Sequence, residues 1–523
     1  MPDTLNASTQ GLAIANQARL RKGWTKTSTA RWWQDAHTSR ATLRRFWRGE
    51  RIQRDAFIAI CDAVGISDWQ RVAEVTGPKI ASTGELCVGS PLVDWGEAPD
   101  LGCFWGRSRL LESLMSQITD HQCRFIAITG MAGIGKTALA LALADRVQGE
   151  VDGVIWRSLS AYSSLTTLLE SLLTTVGDQA DTLHQQIRRL QAHLQRHRYL
   201  IILDGLDTWM PQTADSSGID SSIDSEINAK NVSDFQTWLM GLAQVSHKSC
   251  ILVTNRESLP LMATPLAHST ITIPLTGLTP QASEKLLLAA GLAGTSAERK
   301  AVGHLYGGNP LAMQLAVPVI QSIFGGNIAA FLRTHTPFVG DRLRLLLNQQ
   351  LEKLTPMERD IVYWLAIWQE PIPLSRLHTH LFPTPDPMIV LECLVRLEGR
   401  SLLDKVFIGD DPAFTLPPLV MESVMVDLVE RVTAELLQFL QPKAAPGVEL
   451  LRTHCLLRPG TDDIAGDRIL LRIRTALTNH TGGRVGPVFQ ALEAWLNPPS
   501  NPPPPTIIGY ATHNIMALKR VFS

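Results

Sequence analysis

Between residues 124 and 275, short apolar runs alternate with longer segments whose apolar positions recur at helical spacing. The runs Arg124–Thr129, Gly153–Leu159, Tyr199–Leu203, Ser249–Thr254 and Thr270–Leu275 predict five strands. Helices are predicted over Lys136–Arg146, Leu165–Val176 and Leu183–His197. Such alternation predicts a parallel sheet covered by helices on both faces. Either side of it the pattern is helical. Gly11–Arg21, Thr27–Ala36, Arg40–Arg48 and Arg54–Val64 are short apolar-periodic segments divided by Gly, Thr and Ser. From Pro280 onward helices dominate. Gly77–Cys103, rich in Gly, Pro, Ser and Thr, loses periodicity and reads as a linker. The polar stretch from Pro211 to Ser233 buries too little to fold alone and reads as a mobile insertion. Pro498, Pro499 and Pro502 to Pro505 set off a last short helix near Ile515.

At 523 residues the chain exceeds one core and predicts three or four domains. Hydrophobic content of 45% and charged content of 19% describe an ordinary globular chain. The net charge of -1 hides an uneven distribution, because Arg19, Arg21, Lys22, Lys26, Arg31, Arg40, Arg44, Arg45, Arg48, Arg51 and Arg54 crowd the first segment. Seven scattered cysteines without a CxxC pair suggest reduced core thiols in a cytoplasmic protein, neither a disulfide framework nor a zinc site. Met1–Gly11 has no apolar signal core. The longest apolar stretch, Pro310–Phe324, is short and broken by Gln314 and Gln321, so it reads as a buried helix and no membrane span is expected.

Gly130-Met-Ala-Gly133-Ile-Gly135-Lys136-Thr137 fits GxxxxGK[ST] between a predicted strand and a predicted helix. Glycines let backbone N–H groups wrap phosphates, and the following helix directs its positive end at them. Lys136 then neutralises the β- and γ-phosphates, and Thr137 offers its hydroxyl to Mg²⁺. The run Leu200-Ile-Ile-Leu203-Asp204 supplies the carboxylate that such a magnesium site requires at the end of another strand. The next residue is Gly205, where a water-activating acid is usually found. Asp207 either reaches the site or is a carboxylate on a surface turn. Binding of nucleotide is therefore expected, and hydrolysis is weak at most. Arg256, after the strand Ser249–Thr254, can sense the γ-phosphate or be a solvated strand-end arginine. Asn255-Arg256-Glu257-Ser258 lacks the lysine and aspartate of a guanine-reading box, which favours adenine.

These residues resemble the NB-ARC branch of the STAND NTPases. Phe104-Trp105-Gly106-Arg107 resembles the family's adenine-side entry motif, and Val154-Ile-Trp-Arg157 its second strand, whose arginine lies near the nucleotide. Lys248-Ser-Cys-Ile-Leu-Val-Thr-Asn-Arg256 resembles the sensor strand. Gly307-Gly-Asn-Pro310-Leu311 resembles the helix start whose proline packs on base or sugar. The match spans residues 104 to about 435, including a winged helix over Asp341–Leu428. Bacterial, particularly cyanobacterial-type, members that usually carry WD-repeats are most alike, and their helical N-terminal module resembles Thr42–Arg48 with Phe57–Cys61.

The resemblance implies six segments: a helical helix-turn-helix-like domain (1–78), a linker (79–103), the P-loop NTPase domain (104–278), a helical domain (279–340), a winged helix (341–435) and a C-terminal helical segment with a proline-rich linker (436–523). It implies ATP or ADP with Mg²⁺ as ligands, held by Gly106, Arg107, Gly130, Gly133, Gly135, Lys136, Thr137, Arg157 and Pro310, with Thr137 and Asp204 at the metal, Arg256 at the γ-phosphate, and Asp204 and Arg256 as the catalytic candidates. It also implies a closed ADP state and an open ATP state that self-associates and engages an effector or sensor partner. The family's β-phosphate-sensing histidine falls near Leu416-Pro417-Pro418, where this chain has none. The sequence stops at Ser523, about where sensing repeats would begin, so sensing falls to a partner or the chain is a shortened member.

Residues 11–75 also admit a DNA-binding reading, as a transcription regulator with Arg40, Arg44, Arg45 and Arg48 on phosphates. Leu43, Phe46 and Trp47 on the same helix fit a core, and no Asn or Gln there reads bases. A protein-interaction adaptor is the other reading. His378 and His380 lack partners of metal-site type and are expected at the surface.

Overall fold

The structure is a computed structural model. It describes most of residues 4–73 and residues 91–100, 102–209, 223–257, 270–334, 337–440, 448–458, 463–496 and 509–522. The chain divides into two compact units, one of residues 1–90 with 98–104 and one of residues 91–97 with 105–523.

In the first unit a two-residue strand β1 (Thr4–Leu5) pairs antiparallel with β2 (Ile52–Gln53). Helices span Thr9–Arg21, Arg40–Trp47 and Arg54–Ala63. Leu43 and Phe46, one turn apart, are fully buried with Trp32, Phe57 and Ile60. Phe46 packs on Phe57 at 5.2 Å between ring centroids, and Trp32 Nε1 donates to Ile60 O at 3.2 Å. The apolar face of the Arg40 helix is thus spent on the core. Most of the expected helix Thr27–Ala36, together with Arg48, lies outside the described residues.

The second unit is built on a six-stranded sheet of order β3-β5-β6-β7-β4-β8 with every pair parallel. Its strands are β3 (Leu92–Asp94), β4 (Phe125–Thr129), β5 (Gly153–Ser158), β6 (Tyr199–Asp204), β7 (Cys250–Asn255) and β8 (Thr270–Pro274). The four central strands are buried on both faces, which is why they read as unbroken apolar runs instead of alternating. Phe125, Ala127, Ile155, Ile201, Leu203, Ile251 and Val253 pack with the helices Leu165–Thr175, Leu183–Arg196 and Ile223–Gln244. Helices Lys136–Val147 and Ser108–Thr119 pack on each other, and the first of them also packs on β6 and β7.

Two expectations are corrected here. Residues 92–94 fell inside the expected linker but form the edge strand β3, because they hydrogen-bond alongside Gly153–Ile155; residues 79–90 lie outside the described residues. The second half of the expected insertion, from Ile223, is the first turns of a helix ending at Gln244. Phe235, Trp238, Leu239 and Leu242, at spacings of three and four, give that helix its buried stripe.

Beyond β8 come helices Pro280–Ala289, Ser296–Leu305, Pro310–Phe324 and Ile328–Leu332. Next are Asp341–Glu352, Pro356–Trp368, Leu374–His380, Pro387–Gly399 and Pro418–Gln438, with a three-stranded antiparallel sheet of β9 (Ile372–Pro373), β10 (Asp404–Ile408) and β11 (Asp411–Thr415) in the order β10-β11-β9. Helices Glu449–Thr453, Ile464–Thr481, Gly486–Leu496 and Ala511–Phe522 complete the described chain. One contiguous apolar core extends from Leu278 to Leu518 and takes in Met131 and Ala132 of the glycine-rich loop. His378 is engaged by Pro385 O at 2.9 Å, and His380 stacks on Trp364 at 4.9 Å, so both serve local packing. No helix among the described residues is long and apolar enough to cross a membrane.

Candidate functional site

The carboxyl ends of β4, β6 and β7 converge, as the crevice end of an open parallel sheet does. After β4 the chain turns through Gly130–Gly135 into the helix that begins at Lys136. Gly133 has φ of +77°, and a β-carbon there would stand 2.8 Å from Leu311 Cβ and 2.9 Å from Asn309 Oδ1. Only glycine satisfies both the left-handed backbone and that close approach. Lys136 Nζ donates to Gly130 O at 2.7 Å and to Met131 O at 3.1 Å, folded over the loop. Burial pushes its ammonium down to about 8, against the nearby negative charge of Asp207.

Asp204 closes β6. Its Oδ1 accepts from Thr137 Oγ1 at 2.9 Å and from Thr254 Oγ1 at 2.6 Å. Burial raises its pKa above the ordinary aspartate value, and the two hydroxyls oppose that rise. Thr254 in turn accepts from Gly205 N at 2.9 Å, so one hydroxyl ties β7 to the end of β6. Asp207, on the short turn Leu206–Thr208, pairs with Arg256 at 2.9 Å, both side chains being a fifth to a quarter exposed.

Arg107 adopts a left-handed backbone, φ +63°, at the start of the Ser108 helix. Its Nη2 donates to Ile134 O and Thr276 O, each at 2.8 Å, and burial pushes its guanidinium down to about 10. The neighbouring Gly106 sits where a β-carbon would lie 2.8 Å from Ala282 Cβ. Asn309 caps the Pro310 helix through Ala312 N and donates from Nδ2 to Ala132 O at 2.9 Å, while Leu311 N reaches Gly133 O at 3.3 Å. Pro310 Cγ lies 3.9 Å from the β-carbon position of Gly135. The helix start is therefore bonded to the loop backbone.

Gly106, Arg107, Gly130, Gly133, Gly135, Lys136, Thr137, Asp204, Arg256 and Pro310 thus gather at one end of the sheet. Arg157 does not join them. It is 3% exposed at the end of β5, where it pairs with Asp94 at 2.7 Å and donates to Ser171 Oγ, Thr175 Oγ1 and Trp156 O. Two strands, β6 and β7, separate β5 from the loop strand, and the guanidinium's donors are consumed locally. Its expected place beside the nucleotide is corrected to a structural one. Three residues escaped sequence reasoning as site residues or were left open: Thr254, Asn309 and Asp207. A hydroxyl ending an apolar strand and an asparagine just before a helix-starting proline were the available signals.

The donor set fits a Mg²⁺–nucleotide: an ammonium over a glycine loop at a helix N-terminus, and a threonine hydroxyl within hydrogen-bond distance of a carboxylate. A parallel sheet with this loop, and with the acid strand set one strand away, defines a P-loop NTPase fold. A model of the NB-ARC domain matches residues 107–225. An uncharacterized WD repeat-containing protein of Nostoc sp. is 34% identical over 475 residues, 83% of this chain and 37% of that protein. The disease resistance-like protein DSC1 of Arabidopsis thaliana is 35% identical over 112 residues, 19% of this chain and 9% of its own. Residues 107–225 thus carry an NB-ARC domain. Among solved structures, a Walker-type ATPase of Pyrococcus abyssi aligns with a TM-score of 0.42 at 13% identity, covering 61% of this chain and 96% of that one. A STAND protein with a tetratricopeptide repeat sensor from Pyrococcus horikoshii gives 0.32 at 15% identity, covering 77% and 60%. This chain spans little more than a third of the Nostoc relative's length.

Proposed function

We propose that the chain is a nucleotide-dependent switch, holding ADP or ATP with Mg²⁺ and exchanging them to control self-association or the binding of a protein partner. The observation that carries this reading is the grip of the Pro310 helix on the phosphate loop. Asn309 and Leu311 bond to Ala132 O and Gly133 O, and Met131 and Ala132 share the core of the helices beyond β8. A change in loop contacts is thereby a change in helix packing, which is the differential interaction a ligand needs to shift a conformational equilibrium.

In this reading Lys136 and the loop N–H groups bind phosphate, and Thr137 with Asp204 holds the metal, which supplies charge neutralisation when bound. Arg107 braces the loop from Ile134 O, and Pro310 lies on the adenine side. Arg256 senses the third phosphate. The segment 341–435 acts as the winged helix, with Pro418 beside Gly307: a β-carbon at Gly307 would stand 3.2 Å from Pro418 Cδ. Gly205 contributes no side chain for activating water, so retention of nucleotide is favoured over turnover. Calorimetry of Lys136→Ala tests the assignment. ADP and ATP affinities fall at least a hundredfold, given the strength of a desolvated charge–phosphate contact, about 3 kcal/mol; unchanged affinities would sink it.

A further inference from the structure

The ion pair between Asp207 and Arg256, 2.9 Å long, stands beside Lys136 and Asp204 at the end of the sheet. Asp207 is carried on a fixed turn. Gly205 precedes it in the left-handed region at φ +82°, and Leu206 is fully buried. Thr208 N and Oγ1 both return to Gly205 O, at 3.1 and 2.8 Å. Trp209 Nε1 donates to Leu159 O at 2.8 Å, and its ring packs on Phe235 at 4.7 Å. Arg256 is set from the other side, its backbone N–H held by Asn255 Oδ1 at 3.0 Å, with Asn255 fully buried.

Four charges result: Lys136 and Arg256 positive, Asp204 and Asp207 negative. They are electrically coupled. Beyond the effect of burial, Asp207 supports the charge on Lys136 and Arg256 opposes it, and Asp207 disfavours the charge on Asp204. Taken as ionised, the group sums to zero. A diphosphate meets Lys136 and the loop N–H groups without needing Arg256. A third phosphate adds negative charge near Asp207 and competes with it for one guanidinium.

Resting on the reading that this loop binds nucleotide, we infer that Asp207 is a stand-in for the third phosphate: it occupies Arg256 in the diphosphate state and sets the preference between nucleoside diphosphate and triphosphate. Asp207 is a positioning residue, acting through Arg256. An ordinary turn-to-strand ion pair would contribute to stability and leave that preference alone, which separates the two roles.

The test is calorimetry on the full chain with Mg–ADP and with Mg–ATPγS, for wild type, D207N, R256Q and the double variant. D207N moves the affinity ratio toward the triphosphate by about three- to tenfold, the worth of a partly exposed ion pair plus the relieved repulsion. The shift is smaller in the R256Q background, because the competition has lost its object. D207S, which removes the charge with a side chain that turns accept, gives the same direction, and thermal melts confirm that each variant folds. A ratio unchanged within twofold in D207N and D207S, with both nucleotides still bound, overturns the inference and leaves the nucleotide site standing. A shift in only one of the two variants, or an equal shift with and without Arg256, also overturns it. Failure of the wild type to bind either nucleotide overturns the site reading as well.

Discussion

Neighbouring strands β5 and β6 end in register, Ser158 beside Asp204, and each carries a polar cluster at its end. The Arg157 cluster on β5 is closed. Asp94, Ser171, Thr175 and the Trp156 carbonyl take the guanidinium's donors, and Asp94 is further held by Gly96 N and Thr175 Oγ1. The Asp204 cluster on β6 is open by comparison. Lys136 rests on backbone carbonyls that a phosphate can replace, and Asp204 satisfies only one oxygen with hydroxyls. A charged residue at the carboxyl end of a parallel strand is therefore not enough to mark a ligand site. What separates the two clusters is whether its partners can be exchanged without leaving a buried group unpaired.

The largest effect that would sharpen this contrast comes from Arg157→Met. Removing the buried arginine leaves Asp94, whose side chain is a third exposed, without its cation and strips charge-assisted hydrogen bonds worth about 2–3 kcal/mol, seen as a lower urea midpoint. The folded fraction keeps its nucleotide affinity within about twofold because Arg157 touches none of the loop. A loss of affinity without a loss of stability would break the comparison. Next, Thr254→Val takes from Asp204 one of its two hydroxyl partners and removes the acceptor of the Gly205 N–H. A cost of about 2 kcal/mol in stability should come with weaker Mg–ADP binding, measured by calorimetry with and without magnesium.

The third effect depends on pH. With Lys136 pushed down to about 8 by burial, the free chain loses its ammonium as pH rises through that value. Bound phosphate pulls the pKa back up, so binding takes up a proton above pH 8. Affinity for ADP falls about tenfold between pH 7 and pH 9. Calorimetry in buffers of different ionisation enthalpy reads the uptake directly; flat affinity over that range would contradict it. The smallest effect is Thr175→Val, which removes one hydroxyl from the closed cluster. It costs about 1 kcal/mol in thermal or urea melts and leaves ADP binding unmoved.

Much of the scaffold was legible because the central strands are apolar on both faces, with β4 running into a glycine turn and β6 ending on a carboxylate. Gly130–Thr137 and Asp204 were readable as a pair, since chemistry dictates both residue types and their places at strand ends. The edge strand β3 was not. Three residues, Leu92-Val93-Asp94, cannot display a period, and their neighbourhood has the composition of a loop. The Ile223 helix was masked by its polar start, though Phe235 and Trp238 carry its buried side. Arg157 was misread because a strand-end arginine looks the same whether its partner is a phosphate or Asp94, which lies 63 positions away. Thr254 and Asn309 gain their meaning only from what lies across a strand or a loop from them. Asp207 could be read either way until its distance to Arg256 was known.

Asn309 and Leu311 brace a loop made far earlier in the chain; Asn309 and its partner Ala132 are 177 positions apart. During synthesis the β4 strand and the glycine turn emerge well before the segment that holds them in shape. Long-range closures of this kind come late in folding. A nascent chain halted before residue 311 thus carries a complete phosphate-binding signature and an unbraced loop. Ligand capture would then mark the moment at which the helices beyond β8 have docked, and so report that folding has passed the middle of the molecule.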